Sequence, residues 1–333
     1  MPYSKPWLSY QAQLDQLKAR GMTVTDEPSA LDYLERIGYY RLSGYWYPMR
    51  ERSGDVVLLS EQGTKPKKVR PTRLALEHFK PGCRFVDAVE LYVFDKRLRM
   101  LAMDALERIE IAIRVDISHT LGEQDPFAYL KPEFLFADFC HKLDPQTGVS
   151  GHHSWLGNHA RLIGRSKEEF VKHNKDRYGL PLPIWVACEV WDFGTMSTLY
   201  AGMTEADQDR ISAAYGVSNG RVFASWLRSL NYLRNVCAHH SRLWNRNMSD
   251  QPRLPPEAEL NWVAAYHGDT HSHRLARCYL LLRICRHLLA EVNPNSSWPE
   301  RMRNHLQSFP NLDHLGLNLF GMGAPENWQD DWQ

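Results

Sequence analysis

Residues 233–245 read Leu-Arg-Asn-Val-Cys-Ala-His-His-Ser-Arg-Leu-Trp-Asn, which crowds Arg234, Asn235, His239, His240 and Arg242 at the end of an otherwise apolar stretch. These residue types can cleave RNA without a metal. The reaction needs a base for the 2′-hydroxyl proton, a cation for the charge on the phosphorane, and an acid for the leaving 5′-oxygen. Imidazole suits either proton role, because its ordinary pKa of about 6.5 leaves both forms populated near neutrality. Guanidinium suits the charge role, because it donates two parallel hydrogen bonds to phosphate and keeps its proton. Arg234 and His239 are the candidate catalytic pair. His240 reads as a second acid or a surface residue, and Arg242 as a phosphate contact or a helix cap.

The spacing alone carries nothing. With 15 His and 28 Arg in 333 residues, chance supplies about four pairs in which four to six residues separate Arg from a later His. The pairs present are Arg73/His78, Arg114/His119, Arg234/His239 and Arg234/His240. Arg234 differs in its setting: an adjacent Asn, a small Ala238 before the His, then Arg242, Trp244 and Asn245. Residues five apart diverge by about 140° around an α-helix, whereas Asn235 and His239, at i and i+4, share a face. One helix therefore makes half a site, and a two-fold partner would bring two Arg and two His together, so a homodimer is expected. The plainer alternative is a helix C-terminus whose cations answer the macrodipole.

The elements that must position this segment read as helices. Ser9–Arg20 is a short helix stopped by Gly21, and Asp26 with Pro28 opens a second whose buried face carries Leu31, Leu34 and Ile37. An aromatic run, Tyr39–Pro48, follows; it could stack bases but reads better as core packing. Residues 50–73 suggest a hairpin-like insert, with a strand at Val56–Leu59 and a basic loop. From Arg84 to about Leu121 the chain lacks Pro and Gly, and apolar residues recur at threes, fours and fives, which marks a long amphipathic helix. Residues 122–160 read as irregular. A helix with capping-box spacing opens at Ser166, and another runs through Trp185, Cys188 and Val190. Arg221 to about Trp244 and Ser272–Val292 are long helices, Trp298–Phe309 is a last short one, and the tail from Gly321 reads as loose. The architecture expected is all-α.

Composition narrows the function. Forty basic against 39 acidic residues leave a formal charge of +1, so any RNA contact depends on local fields. The densest basic patch, Lys65, Lys67, Lys68 and Arg70, is the candidate RNA contact outside the helix-end site. The six cysteines have no C-x-x-C spacing, which excludes a zinc ribbon and suits free thiols in a reducing cytoplasm. The N-terminus lacks an apolar run, so no signal peptide is expected, and no stretch is apolar enough to span a bilayer. His152, His153, His159 and His173, and likewise His271 and His273, match no standard ligand pattern. No metal and no cofactor is expected, and no nucleotide-binding glycine motif is present.

The pattern RN-x-x-AH-x-x-R-x-x-N resembles the HEPN superfamily, and specifically its AbiD/AbiF-like abortive-infection (Abi) family. Further blocks resemble family landmarks in order: Gln13-Leu14 to Arg20-Gly21, Tyr39–Tyr45, Tyr92–Asp95 to Leu98-Arg99, Arg108–Arg114, and Pro183–Trp185 to Phe193-Gly194. The likeness covers about residues 5–247. It implies a HEPN-type helical bundle at 83–293, an N-terminal helical region at 1–82 carrying the insert (about 50–73), and a C-terminal helix and tail at 294–333. It implies a metal-independent endoribonuclease of an anti-phage system, similar to the nuclease modules of RNA-targeting CRISPR effectors, with a small non-coding RNA as a possible regulator. Arg234 and His239 map onto the family's catalytic pair and Asn235 onto the polar residue beside it. The likeness also places the long helix beside the catalytic one, so that Glu110, paired with Arg114 at i, i+4, would orient Arg234 or His239. The alternative is a non-catalytic RNA-binding protein that uses the same basic site to grip phosphate.

Overall fold

The computed structural model describes residues 5–56, 71–268 and 272–332. It divides into two compact units. One contains residues 1–97 and 305–321, the other 98–304 and 322–333.

In the first unit, α1 (Tyr10–Ala19) starts where Ser9 Oγ accepts the Ala12 amide at 3.2 Å, and the chain turns at Gly21 with φ of +91°. Asp26 Oδ1 caps α2 (Glu27–Arg36) by accepting the Ser29 amide at 3.0 Å. Both starts are where side-chain capping predicts them. The fully buried residues of α2 are Ala30 and Leu34; Leu31 and Ile37 are half-buried. The aromatic run forms α3 (Tyr39–Trp46), with Tyr45 and Trp46 in the core and Tyr40 92% exposed. The hairpin is present: β1 (Arg50–Arg52) pairs antiparallel with β2 (Ala75–Phe79), and Val56 bridges Thr72. The rest of the strand expected at Val56–Leu59 lies outside the described residues, as do Lys65, Lys67, Lys68 and Arg70.

The long helix is α4 (Phe85–Gln124), 40 residues, and the division between the units falls within it. In the second unit it buries Leu98, Ala102, Ala105, Ile109, Ile113, Ile117 and Leu121. Residues 122–160 are not irregular as expected. They contain α5 (Ala137–His141) and most of α6 (Gly151–Arg165). Gly151 is no breaker there, because it occupies the first turn, behind Ser150, whose Oγ accepts the His153 amide. Ser166 ends α6 rather than opening a helix, and α7 (Glu169–Tyr178) begins three residues later with no side-chain cap. The helix expected through Trp185 and Val190 is the four-residue α8 (Ile184–Ala187) and a tight turn. Asp192 then caps a separate α9 (Phe193–Gly202) by accepting the Thr195 amide at 2.8 Å.

α10 (Glu205–Ala213) leads into α11 (Gly220–Ala238), which packs against α9 and α10. Phe223, Trp226, Leu227, Leu230 and Leu233 form its buried face. The expected helix of Ser272–Val292 is broken at Ala276-Arg277 into α12 (Ser272–Leu275) and α13 (Cys278–Val292); α13 also packs on α11. α14 (Trp298–Gln307) closes the helical set. The tail is not loose: Trp332 is 2% exposed, and Tyr279 Oη donates to Asp331 Oδ2 at 2.8 Å.

The unit is mostly α, and its core is aromatic. Trp155 stacks on His159 at 9° between ring planes, and Trp191 Nε1 donates to His159 Nδ1 at 3.0 Å. Burial lowers the His159 imidazole to about 4, so the ring is neutral and can accept that bond. His152 is buried beside it, bonded to the Tyr129 carbonyl. Among the described residues no group of three or more His, Cys, Asp or Glu is arranged to hold a metal ion, and no helix is long and apolar enough to cross a membrane. All six cysteines are buried free thiols.

The start of α11 is the tightest joint. Asn219 Oδ1 accepts the Arg221 and Val222 amides, and the Gly220 amide donates to Asp209 Oδ1 at 2.7 Å. A Cβ at Gly220 would stand 2.4 Å from Gln208 Cβ and 2.6 Å from the Gln208 carbonyl carbon. Gly220→Ala should therefore cost about 2–3 kcal/mol by overpacking, read as a lower denaturant midpoint; an unchanged midpoint would show that α10 yields freely.

Candidate functional site

The site is built at the C-terminal end of α11, where the helix stops six residues before the expected Trp244. His239 is the C-cap, with φ of −84° and ψ of 10°. The Ser241 amide donates to the Val236 carbonyl and the His240 amide to the Cys237 carbonyl, each at 3.0 Å. This is the Schellman pairing, which ends helices in a left-handed residue that is usually glycine. Here that residue is His240, with φ of +55°. The divergence of about 140° between Arg234 and His239 still holds, because the helix carries His239 as its cap and the left-handed turn comes only after it. The His239 amide donates to the Asn235 carbonyl at 3.0 Å.

The chain beyond the cap is anchored. Leu243 and Trp244 are fully buried. The Trp244 carbonyl accepts from Cys278 Sγ, the Asn245 carbonyl from Arg277, and the Met248 amide donates to the Ala276 carbonyl. Arg99, on α4, is 5% exposed and donates to the Ser241 carbonyl at 3.3 Å. His239 and His240 are left exposed, while Arg234, Asn235 and Arg242 are half-buried. Arg234 Nη1 lies 3.4 Å from Asn235 Oδ1.

The supporting pair is present and adjoins the helix end. Arg114 Nη2 donates to Glu110 Oε1 at 2.8 Å and to the Trp191 carbonyl at 3.1 Å. Glu110 and Arg234 line one hollow of about 280 Å³, together with Met103, Asp104, Leu106 and Glu107. Burial raises the Glu110 carboxyl above its ordinary range. Arg114 and Arg234 pull it back without restoring it, and Asp192 adds to the rise. Three carboxylates, Asp104, Glu107 and Glu110, line this hollow with Arg234, and Asp104 is already paired with Arg108 and Arg301.

Arg114 and His119 do not form a second site: Arg114 is engaged as described, and His119 is exposed in another hollow beside Trp185 and Arg210. Two further residues support the site, Asp192 and Arg99, the latter named above only within a block that resembles the family. Asp192 carries a local sign, a capping Asp before Phe193; Arg99 meets Ser241 across 142 residues and has none.

The fold and this helix end define a mostly α-helical protein with an Arg-Asn-His cluster beside a half-buried acid–base pair. The family model described as Abi-like protein matches residues 32–245, more than half of the chain, and the protein belongs to that abortive-infection family. Comparison with curated proteins and with solved structures gave no match.

Two outcomes test the geometry. His240→Gly removes a left-handed non-glycine residue and should raise stability by about 0.5–1 kcal/mol, measured by chemical denaturation; a loss of stability would show that the imidazole supports the turn. Glu110 has a folded-state pKa above its unfolded one, so its ionised form weakens the fold at neutral pH, and that penalty fades as pH falls through the folded value. The thermal stability of the parent relative to Glu110→Gln should therefore rise between about pH 7 and about pH 4. A parent that loses ground to the variant on acidification would reverse the assignment.

Proposed function

We propose that the protein is a metal-independent endoribonuclease acting in anti-phage abortive infection, in the cytoplasm, with a small non-coding RNA as a candidate regulator. The observation that carries this reading is the exposed His239 at the end of α11, beside Arg234 and Asn235, in a chain of the Abi-like family. His239 serves as base or acid and Arg234 as the clamp on the phosphorane. Glu110 is a positioning residue for Arg234, and Arg114 holds Glu110 in place. Asn235 donates its amide to the scissile phosphate or its ribose. His240 and Arg242 extend the same edge toward the RNA strand.

One copy exposes a single His239, whereas concerted cleavage needs both a base and an acid. A homodimer with α11 near its two-fold axis supplies both. Ile111 and Val115, one turn apart on α4 and each 50% exposed, neighbour Glu110 and Arg114 in sequence and offer apolar surface for a second copy.

The test is purified full-length protein with end-labelled RNA in EDTA. The parent should cut and leave 2′,3′-cyclic phosphate ends. His239→Ala should lose about 100-fold or more. Arg234→Lys, which keeps the charge but loses the planar fork, should lose most cleavage and keep RNA binding. Activity abolished by EDTA and restored by magnesium would remove this mechanism. A parent that binds RNA without cutting it, with binding retained in His239→Ala, would favour the phosphate-gripping alternative. Mass measurement tests the assembly, since a strict monomer cutting at full rate excludes a shared site.

A further inference from the structure

A second cleft lies wholly within the first unit, between α1, α3 and the base of the hairpin. Its volume is about 1040 Å³, at the upper end of the roughly 300–1,000 Å³ usual for ligand sites. Its wall carries aromatic, amide and charged side chains, Lys5 and Glu35 among the last, beside the aliphatic Leu8 and Leu34. Tyr10, Tyr39 and Tyr40 provide rings, and Tyr40 and Tyr10 are 92% and 47% exposed. Gln13 and Gln16 provide amides. Arg20 and Arg50 provide guanidiniums, and both lie near the Glu77 carboxylate.

Part of this wall is already ordered. Arg20 Nη1 donates to Tyr39 Oη at 3.2 Å, which donates to Gln16 Oε1 at 3.3 Å, and Gln13 Nε2 donates to the Leu8 carbonyl at 3.0 Å. Two buried atoms are left over. Gln13 Oε1 and Arg50 Nε have no hydrogen-bond partner among the described residues. A buried acceptor and a buried donor without partners are costly to a fold, and a rotation of either side chain into the cleft would let a ligand carrying the complementary groups satisfy them.

The charges select the ligand. Glu35 and Glu77 offset most of the charge of Lys5, Arg20 and Arg50, so a polyphosphate or an acidic peptide meets carboxylates and gains little. A nucleoside fits better. Its base has flat faces for exposed tyrosine rings, and its edge offers an N–H for Gln13 Oε1 and a lone pair for Arg50 Nε. The ribose hydroxyls can donate to Glu77, and the single phosphate of one nucleotide matches the remaining positive charge. We propose that this cleft binds one nucleotide of single-stranded RNA, base against the tyrosines and ribose against Glu77. It uses none of the residues at the end of α11 and stands whether or not that site cleaves RNA.

The experiment uses the full chain with His239→Ala, so that any cleavage does not confound titration. A fluorescein-labelled heptaribonucleotide of mixed sequence and its deoxy counterpart are titrated by anisotropy. A 4-thiouridine version is photo-crosslinked and mapped by mass spectrometry. Tyr40→Ala, at a position too exposed to unsettle packing, should weaken RNA binding about tenfold, the scale of one lost base stack. Arg50→Lys, checked for folding by circular dichroism, should weaken it about as much. The deoxy strand should bind several-fold less tightly, and crosslinks should fall within residues 10–50. The proposal is overturned if the parent does not bind the ribonucleotide, if folded Tyr40→Ala and Arg50→Lys both bind like the parent, if RNA and DNA bind equally, or if crosslinks fall only outside that segment.

Discussion

The chain reversal after Ala238 is the constraint on which the candidate site depends. A helix that continued to Trp244 would leave that ring and Leu243 to follow the helical spiral. The Schellman pairing at His239–Ser241 instead turns Leu243 and Trp244 into the core, while two imidazoles remain in solvent. The reversal holds without glycine at the left-handed position. Its stability comes from afterwards, from the carbonyls of Ser241, Trp244 and Asn245 taken up by Arg99, Cys278 and Arg277. Local strain at one residue is thus offset by tertiary bonds from α4, from the first residue of α13 and from the break before it.

The neighbouring charges show a similar exchange. Glu110 is 16% exposed and Arg114 13%, so both have surrendered much of their hydration. An ion pair in such a place adds little net stability, because desolvation opposes the attraction. Burial prevails at Glu110, whose carboxyl is raised despite two guanidiniums. Apolar residues would pack this position at least as well. What the pair shows is placement: Glu110 is bonded to Arg114 and lines the same hollow as Arg234.

Much of the fold was legible because local chemistry decides it. Ser9, Asp26 and Gly21 mark helix ends by capping and by a left-handed turn, and α4 declares itself through unbroken periodicity. The misreadings occur where one residue type serves two roles. Gly151 looked like a breaker and sits in a first turn behind a serine cap. Ser166 has the spacing of a helix start and closes α6 instead. The end of α11 lacked its usual glycine, so the sequence read as helix to Trp244. In the tail, the two tryptophans read as loose because their burial depends on Tyr279, Arg283 and Trp298, far away in sequence. At the site, Arg234, Asn235 and His239 stood out by crowding and Glu110 by its i, i+4 partner. Arg99 could not, since only the folded chain brings it to Ser241.

The cysteines carry a consequence for handling the molecule. All six are buried, and burial pushes the Cys83 thiol up to about 12 and raises Cys140, Cys188 and Cys285 as well. The nucleophile in alkylation and disulfide exchange is the thiolate, so these buried thiols should react slowly with maleimides and oxidants in the folded chain. Labelling then proceeds only through opening. Cys83 belongs to one compact unit, and Cys140, Cys188, Cys237, Cys278 and Cys285 to the other. The order in which they react is a built-in clock for which unit opens first.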